Sequence, residues 1–330
     1  MKNAIILSTG AYLPEQIIPN TYFNDYFGED VDTWLRENMH IYERRWCKDH
    51  ESTADLCEKA AKQALERANI TADKIQLLIV ATDTPEYISP STAAIVQHRI
   101  GATHAGTFDL NAACAGFVTG LDVGAKYILA DKQYEYVMVI GAYAMSKYLN
   151  KADKKTVTLF ADGAGAVILR GVNEKQKRGF LASELISKGE FYDWMGIYAG
   201  ATHTPLSENV LQNKDHLLKF VKKFPKELNP NMWTKMAQNL CERCAIQPSD
   251  IDHFFMTQIN INAIFETLDR LNVPHNRAET VMHHYGYTGS AAIPIALNQS
   301  FEKGKLKRGD MLFFIGSGGG LAFASAAVRY

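Results

Sequence analysis

Residues 66–80 read ERANITADKIQLLIV, and residues 242–256 read ERCAIQPSDIDHFFM, at a fixed offset of 176 positions. Each segment predicts the end of a helix, a short polar loop and an apolar run typical of a buried β-strand. The two segments align without a gap, which favours two similar halves within one chain. Two unrelated helix–strand units of a common type are the alternative.

The repeat also indicates where a functional site would lie. Ligands of α/β proteins bind beyond the carboxyl ends of the strands. If the two halves pack together, corresponding strand ends converge on one shared site. The ends in question are Ala81-Thr82 in the first half and Thr257-Gln258 in the second.

Similar apolar runs recur along the rest of the chain. Runs of this length and composition are typical of fully buried strands, and helical patterns separate them. This alternation predicts an α/β fold with mainly parallel sheets. We expect an N-terminal half (1–172) and a C-terminal half (173–330), joined at the polar run 173–178. The runs are 4–7, 77–80, 136–140, 164–169, 254–256 and 311–315, and the clearest helices are 52–69 and 231–244.

Composition and charge exclude several classes of function. The 330 residues include 35 basic and 36 acidic side chains, a balance that argues against a nucleic-acid binder. The apolar run at residues 4–7 is too short for a signal peptide or a membrane span, so we expect no membrane association and a cytoplasmic location. Five cysteines, an odd number, are then expected to be reduced thiols.

Residues 105–117, AGTFDLNAACAGF, contain the cysteine with the most suggestive context. A short strand leads through small residues to Cys114, and a helix is predicted at 117–129. A helix N-terminus favours an anion, so this position is expected to lower the thiol pKa and raise nucleophilicity. Attack on an acyl thioester would suit such a thiol. A small buried cysteine that packs against a helix start is the alternative.

The other cysteines carry weaker signals. Cys241 and Cys244 form a C-x-x-C pair on a predicted amphipathic helix, without the second pair that a metal site needs. Cys47 and Cys57 have no suggestive neighbours. We therefore expect no metal.

Two glycine-rich segments are FADGAGA at 160–166 and GSGGG at 316–320. Neither fits the dinucleotide-binding pattern, which runs from a strand into a helix and has a downstream acid. The second segment permits close backbone approach, so one of its N–H groups is able to face a developing oxyanion. A tight turn between two strands is the alternative.

Together, the segments 111–117 (NAACAGF), 160–165 (FADGAG) and 316–320 (GSGGG) resemble the ketoacyl-acyl-carrier-protein synthase III group of thiolase-fold condensing enzymes. The motifs occur in the family's order over nearly the whole chain. The resemblance implies a five-layer αβαβα fold of two βαβαβαββ halves, and a homodimer. The repeat described above agrees with this independently.

The resemblance also implies roles for individual residues. Cys114 corresponds to the acyl-accepting nucleophile, and the backbone N–H groups of Cys114 and Gly319 correspond to the oxyanion hole. Trp34 corresponds to the tryptophan that stacks on the adenine of coenzyme A, with Arg36 as a nearby basic residue. The implied substrates are acyl thioesters of coenzyme A or of an acyl-carrier protein, with no tightly bound cofactor.

Two basic positions of the family pattern are changed in this chain. Asparagine stands at both, as Asn38 and Asn262. Coenzyme A is therefore less strongly indicated as the donor, and an acyl-carrier protein is the partner that would replace it.

The largest departures from the family pattern concern the catalytic donors. The family's His-Gln-Ala-Asn is TQIN here (257–260), and its Gly-Asn-Thr-Ser is GYTG (286–289). Thr257 and Tyr287 thus replace the histidine and asparagine that stabilise the enolate during decarboxylation. Removing one such donor typically costs ~10²–10³ in rate. We expect Thr257 and Tyr287 to serve as substitutes, and Asn260 to help position the substrate.

Two adjacent histidines offer further candidates. His283 and His284 precede the GYTG turn and are predicted to lie on a strand, where their side chains would point to opposite faces. One of them would then reach the site. A surface or dimer-contact role for each is the alternative.

Three functions compete on this pattern. The first is a condensing enzyme that loads an acyl group on Cys114 and extends it with a malonyl- or β-ketoacyl-type thioester, in a specialised lipid or natural-product pathway. The second is an acyltransferase to a hydroxyl, amine or carrier thiol, which needs no enolate donors. The third is a non-catalytic partner subunit of a related synthase. The aromatic segment 189–204 and the lysine-rich segment 214–226 suggest an acyl tunnel and a carrier-docking face, with ordinary packing and a solvated surface as alternatives.

Overall fold

The computed structural model describes residues 2–173 and 178–330. The six apolar runs named above are confirmed as strands, most of them with longer bounds, and the helices predicted at 52–69, 117–129 and 231–244 are confirmed. The strands are β1 (Lys2–Tyr12), β2 (Gln16–Pro19), β3 (Glu43–Trp46), β4 (Leu77–Ala81), β5 (Gly106–Leu110), β6 (Tyr136–Ala144), β7 (Asp162–Asn173), β8 (Gly179–Ser187), β9 (Met195–Gly196), β10 (Lys219–Phe220), β11 (His253–Met256), β12 (Met311–Gly318) and β13 (Ala322–Arg329). The helices are α1 (Asn20–Phe27), α2 (Asp32–Met39), α3 (Thr53–Ala68), α4 (Thr92–Ile100), α5 (Gly116–Ala130), α6 (Lys154–Val157), α7 (Glu208–Gln212), α8 (Leu228–Cys244), α9 (Ile261–Arg270), α10 (Met282–Tyr285) and α11 (Ala292–Glu302).

Two larger sheets repeat one topology. The first has the order β1-β7-β6-β4-β5, and the second has the order β8-β13-β12-β11. When each sheet is read in this order, its first and second pairs of neighbouring strands are antiparallel and its third pair is parallel. Strand β5 extends the first sheet in parallel with β4. Four strands of each half therefore match in order and direction.

The expectation of mainly parallel sheets is wrong. The parallel pairs are β4–β5, β4–β6 and β11–β12, whereas β1, β7, β8 and β13 pair only in antiparallel fashion. The reason lies in the connections. Strand β13 follows β12 after a tight turn at residues 319–321, which is too short for the crossover that parallel strands require.

The helix–loop–strand repeat is confirmed in backbone detail. Helices α3 and α8 both end in a left-handed residue, Asn69 with φ 52° and Ala245 with φ 54°. The next N–H groups, of Ile70 and Ile246, donate to carbonyls of the last helical turn at 3.3 Å and 3.0 Å. This is the Schellman-type ending that turns the chain into the loop. A single 3₁₀ turn then precedes β4 and β11.

The helices and sheets form five layers. Helices α3 and α4 cover the outer face of the first sheet, and α8 and α9 cover the outer face of the second. Helices α5 and α11 lie between the sheets, within the largest apolar cluster. The chain thus has the thiolase-like αβαβα architecture. Its central helix α5 is apolar because both of its faces are covered by protein.

The boundary between the halves stays a prediction. Strand β7 ends at Asn173 and β8 begins at Gly179. Residues 174–177 of the polar run 173–178 lie outside the described residues, so the placement of the join rests on the sequence.

The glycine-rich segment 160–166 enters β7 and carries a buried acid, Asp162. Its carboxylate accepts hydrogen bonds from the Cys47 N–H at 2.7 Å, the Ser146 N–H at 2.8 Å and the Ser146 hydroxyl. Burial raises the pKa of this acid, although the hydrogen bonds oppose that effect. Asp162 therefore ties the start of β7 to the segments after β3 and β6.

Replacing Asp162 by alanine is expected to lower the free energy of unfolding by about 3 kcal/mol, because three hydrogen bonds to a buried acceptor are lost. Urea unfolding monitored by circular dichroism measures the change. Asp49→Ala removes an exposed acid from the segment after Cys47 and should change stability by less than about 0.5 kcal/mol. A loss below about 1 kcal/mol in Asp162→Ala would contradict this role.

Candidate active site

Cys114 lies where a strand turns sharply into the central helix. Strand β5 ends at Leu110, and the Asn111 side chain accepts a hydrogen bond from the Ala113 N–H at 2.9 Å. Ala113 has φ 46°, a left-handed conformation that costs energy for any residue other than glycine. A 3₁₀ turn, Ala113–Ala115, then runs directly into α5. The predicted strand-to-helix turn is confirmed, and it leaves Cys114 only 5% exposed.

The second glycine-rich segment packs against this turn. A Cβ added at Gly318 would lie 2.5 Å from the Cys114 nitrogen and 2.6 Å from the Ala112 oxygen, so only glycine fits there. Gly319 follows immediately, in the turn between β12 and β13. Across the described part of the chain, neither the Cys114 N–H nor the Gly319 N–H donates to a backbone carbonyl. The segment is thus a tight turn packed against Cys114, and the N–H groups of Cys114 and of Gly319, the next residue after Gly318, are both uncommitted.

Tyr287 contacts the thiol from the opposite side. Its backbone is fixed by two hydrogen bonds, from the Tyr287 N–H to Leu159 O at 2.8 Å and from the Ala161 N–H to Tyr287 O at 2.9 Å. The ring packs 5.4 Å from that of Phe160 and is 1% exposed. Its hydroxyl forms a hydrogen bond with the Cys114 side chain. The structure therefore brings two of the predicted residues, Cys114 and Tyr287, together.

The pKa of the Cys114 thiol is raised, which corrects the expectation of a lowered one. Burial is the main cause, and the nearby carboxyl of Asp83 adds to it, while the hydrogen bond with Tyr287 acts in the opposite direction. Burial removes water that would stabilise a thiolate, and this outweighs the helix N-terminus in the resting state. Cys114 therefore rests as a neutral thiol and must lose its proton as it attacks.

Thr257 lies at the end of β11, close to the glycine-rich turn. Its hydroxyl accepts a hydrogen bond from the Ser317 N–H at 2.8 Å and donates a longer one to Ser317 O at 3.4 Å. Ser317 immediately precedes Gly318, which contacts the Cys114 turn. On the other side, a Cβ on Gly116 would lie 3.2 Å from the Cβ of Ala81. Both strand ends that the repeat singled out thus flank the Cys114 turn.

Asn260 caps a helix. Its side chain accepts a hydrogen bond from the Asn262 N–H at 3.0 Å, at the N-terminus of α9. Within the described residues, the Asn260 side chain makes this single hydrogen bond, which orders the segment that follows Thr257.

The two histidines lie on helix α10, so their placement on a strand is wrong. The His283 N–H at Nδ1 donates to the His40 carbonyl at 2.8 Å, and Nε2 is 3.2 Å from the Thr280 hydroxyl. The ring also stacks on Tyr42 at 5.7 Å. His284 is exposed, with Nδ1 3.8 Å from a carboxylate oxygen of Glu43. In the described structure, the side chains of His283 and His284 contact segments other than the Cys114 turn.

A cleft of about 660 Å³ opens beside Trp34, whose side chain is exposed. Its walls carry four lysines and few acids. Leu159 lines the cleft and also accepts the hydrogen bond from the Tyr287 N–H, so the cleft and the thiol site share one wall. The lining residues are Asp30, Val31, Trp34, Lys154, Lys155, Thr158, Leu159, Phe220, Val221, Lys222 and Lys223.

The predicted basic residue Arg36 does not line this cleft. Its guanidinium pairs with Asp32 at 2.6 Å and lies 4.9 Å over the ring of Tyr42. The two asparagines at the family's basic positions contact each other, with the Asn262 side-chain amide donating to Asn38 O at 3.1 Å.

Sequence reasoning missed Lys154 and Lys155, which lie on the short helix α6. Only the lysine-rich segment 214–226 had been singled out, and it supplies Lys222 and Lys223.

The aromatic segment 189–204 mainly packs against its own neighbourhood. Phe191 and Trp194 lie 4.6 Å apart, and Trp194 stacks on Phe224 at 5.5 Å. A Cβ on Gly319 would lie 3.5 Å from Met195 O, so the segment does border the glycine-rich turn.

No group of three or more histidine, cysteine or acidic side chains suited to a metal occurs among residues 2–173 and 178–330. Cys241 and Cys244 lie on α8, where burial raises the pKa of Cys241 to about 11. Over the same residues, the one helical stretch that is long and apolar enough to cross a membrane is Ala113–Ala130, the core helix between the two sheets.

Two matching halves stacked in five layers, with Cys114 at the start of the central helix, are what the resemblance to the thiolase-fold condensing enzymes implied. The profile described as 3-oxoacyl-[acyl-carrier-protein] synthase III matches residues 108–189, and the profile of its C-terminal part matches residues 241–330. The chain belongs to the 3-oxoacyl-[acyl-carrier-protein] synthase III family, as the resemblance implied.

Whole-length similarity supports this assignment. The chain is 35% identical to the beta-ketoacyl-[acyl-carrier-protein] synthase III of Clostridioides difficile, over 98% of each chain. It is also 35% identical to synthase III 1 of Halalkalibacterium halodurans, over 100% of this chain and 99% of the relative. The crystal structure of the Pseudomonas aeruginosa enzyme superposes with a TM-score of 0.90 at 28% identity, covering 99% and 98% of the two chains.

Proposed function

We propose that this chain is a condensing enzyme that accepts an acyl group on Cys114 and extends it with a malonyl-type thioester held on an acyl-carrier protein. The observation that supports this best is the Cys114 thiol, hydrogen-bonded by Tyr287 at a turn packed against the glycine-rich segment, where the Cys114 and Gly319 N–H groups are uncommitted. The names of the relatives include an acyl-carrier protein, which favours it as a partner.

The first half-reaction needs no external base. The Cys114 sulfur attacks the thioester carbonyl, and the negative charge on oxygen is stabilised by the N–H groups of Cys114 and Gly319. The carbonyl reforms as the donor thiolate leaves. The proton lost by the Cys114 thiol passes to that thiolate, directly or through the Tyr287 hydroxyl, so protons and charge balance.

The second half-reaction requires a donor for the enolate that forms when the malonyl group loses carbon dioxide. We assign this role chiefly to the Tyr287 hydroxyl, which is already in the pocket. Thr257 is the weaker substitute. Its hydroxyl oxygen accepts a hydrogen bond from the Ser317 N–H, and its hydrogen would have to turn away from Ser317 O to donate to an enolate. The enolate carbon then attacks the acyl–Cys114 carbonyl, which forms the β-ketoacyl product and releases Cys114 as a thiolate. That thiolate takes up one proton from solvent and so returns to the neutral thiol.

An acyltransferase is the second candidate, and the commitment of the Thr257 hydroxyl to Ser317 favours it. The two functions leave different masses on the carrier protein. Incubation with an acyl-coenzyme A and malonyl-carrier protein should give a β-ketoacyl carrier, two carbons longer than the acyl group, with release of carbon dioxide. An unextended acyl carrier without carbon dioxide would establish acyl transfer instead, and no product from any donor would favour a non-catalytic subunit.

The replaced donor set suggests a specialised lipid or natural-product pathway, and we expect a cytoplasmic homodimer. We assign helix-capping and packing roles to Asn260, His283 and His284, in accord with their contacts. Arg36 is tied to Asp32, so we expect it to contribute little to coenzyme A binding.

The Trp34 cleft is the proposed entrance for the coenzyme A donor. Trp34→Ala is expected to raise KM for an acyl-coenzyme A by about 10-fold with little change in kcat, because base–aromatic stacking is worth roughly 1–3 kcal/mol. Initial-rate kinetics measure the split. Tyr26→Ala removes an aromatic ring of similar exposure on α1, outside the cleft, and should leave KM unchanged. Equal KM values for Trp34→Ala and the wild type would remove the cleft from the donor site.

A further inference from the structure

Asp83 follows β4 by two residues, at the strand end that the repeat singled out. Its neighbours fix the loop: the Thr82 N–H donates to Leu110 O at 3.1 Å, and the Thr84 hydroxyl accepts from the Ala144 N–H at 2.9 Å. The carboxyl is close enough to Cys114 and to Tyr287 for its charge to raise the pKa of both. The backbone supports this placement, because Thr82 is bonded to Leu110, which ends β5 just before the Cys114 turn, and Ala81 of β4 is paired with Gly141 of the parallel strand β6. Asp83 and Tyr143, each two residues further on, therefore lie on neighbouring strand ends next to the Cys114 turn.

Two polar atoms in this pocket lack a partner. Among the described residues, the buried Oδ1 of Asp83 has no hydrogen-bond donor, and the buried hydroxyl of Tyr143 has neither donor nor acceptor. Tyr143 is completely buried, and a Cβ on Gly289 would lie 2.6 Å from its ring, so it has no room to turn away. Buried polar atoms without partners are costly and rare, which indicates that something else satisfies them.

No basic side chain compensates the carboxyl within the described chain. Burial raises the pKa of Asp83 to about 6, and only its own backbone N–H opposes this. The hydroxyl of Tyr287, the other phenol in the pocket, is already occupied by Cys114. Asp83 and Tyr143, on the neighbouring ends of β4 and β6, are thus left with one acceptor and one hydroxyl to satisfy.

We propose that the acyl group loaded on Cys114 bears a hydroxyl on its carbon chain, which donates to Asp83 and accepts from the Tyr143 hydroxyl. This inference rests on the proposed role of Cys114 as acyl acceptor. A plain alkyl chain would cover both polar atoms with apolar carbon and leave them unpaired. A site built to hydrogen-bond a substrate hydroxyl discriminates strongly against the analogue that lacks it.

Loading kinetics on the intact protein test the proposal. Wild-type protein is mixed with 3-hydroxybutyryl-, butyryl- or 3-aminobutyryl-coenzyme A, and the acyl adduct is followed by mass spectrometry. We expect 3-hydroxybutyryl to load about 10²-fold faster than butyryl or more, because butyryl leaves the polar atoms unpaired. Faster loading of 3-aminobutyryl than of 3-hydroxybutyryl would overturn the hydroxyl assignment.

Variants at Asp83 and Tyr143 provide the matched comparison. Asp83→Leu is expected to lower the ratio of 3-hydroxybutyryl to butyryl loading rates by about 10²-fold, because the ratio cancels any effect of the lost charge on the Cys114 thiol. Asp83→Asn keeps the shape and guards against misfolding, and Tyr143→Phe should lower the same ratio. If Asp83→Leu and Asp83→Asn slow both donors equally, Asp83 serves the chemistry of Cys114 and the proposal fails.

Different results would overturn the hydroxyacyl substrate and the role of Cys114 as acyl acceptor. Ready loading of butyryl with no preference for the hydroxylated donor would overturn the hydroxyacyl proposal and leave Cys114 as an acyl acceptor. Absence of any adduct from all three donors, or from a wider panel, would overturn both.

Discussion

Cys114→Ala is expected to abolish both the acyl adduct and turnover, to below the limit of detection. In the proposed mechanism the sulfur forms the thioester. Among the described residues, Tyr287 is the side chain bonded to this thiol, and it is not an equivalent nucleophile because burial raises its pKa well above its usual range. The substitution removes one small atom from a buried position and should leave the fold intact. Intact-protein mass spectrometry after incubation with acyl donors measures the adduct.

Cys244→Ala is the matched control, since Cys244 is a partly buried cysteine on the remote helix α8. It should keep the adduct and the rate of the wild type. An adduct that persists in Cys114→Ala and disappears in another cysteine variant would place the nucleophile elsewhere and refute the assignment.

Tyr287→Phe is expected to lower the rate of carbon dioxide release from the malonyl substrate by ~10²–10³-fold, the usual cost of one preorganised donor. The reason is that the proposed mechanism relies chiefly on Tyr287, because the Thr257 hydroxyl exchanges hydrogen bonds with the backbone of Ser317. The ring, its contact with Phe160 and both backbone hydrogen bonds remain, so stability should change little. Carbon dioxide release from carboxyl-labelled malonyl-carrier protein measures the rate.

Tyr285→Phe controls for the loss of a phenol near the same turn. Its hydroxyl accepts a hydrogen bond from the Gln299 side chain and lies outside the thiol pocket. Unchanged decarboxylation in Tyr287→Phe would mean that the enolate is stabilised by other groups, and the proposed second half-reaction would then be wrong.

The fold was largely readable from the sequence because its signals are local. Buried strands such as β4 and β11 appear as continuous apolar runs, and the repeat around Asn69 and Ala245 preserves a helix ending whose hydrogen bonds span only a few residues. Strand direction was misjudged because it depends on which strands pair, and pairing is decided by contacts far apart in sequence. The short helix α10 was likewise missed, since His283 is held by contacts with residues 40 and 42.

The site divides in the same way. Cys114 was singled out by its small-residue turn, which is visible in the sequence, whereas Gly319 was assigned through the resemblance of its glycine run to the family motif. The raised pKa of the Cys114 thiol was not, because it arises from burial between two sheets and from Asp83, more than thirty residues away in the chain. The lysines of α6 that line the Trp34 cleft were missed for the same reason, as nothing near them in sequence indicates the cleft.

A single turnover tests whether an acyl group on Cys114 is the substrate for carbon–carbon bond formation. The acylated protein is isolated, freed of donor and mixed with malonyl-carrier protein. We expect the adduct to disappear, one carbon dioxide to be released per adduct, and the carrier to gain the β-ketoacyl mass. An adduct that stays on Cys114, or that moves to the carrier unextended and without carbon dioxide, would contradict it.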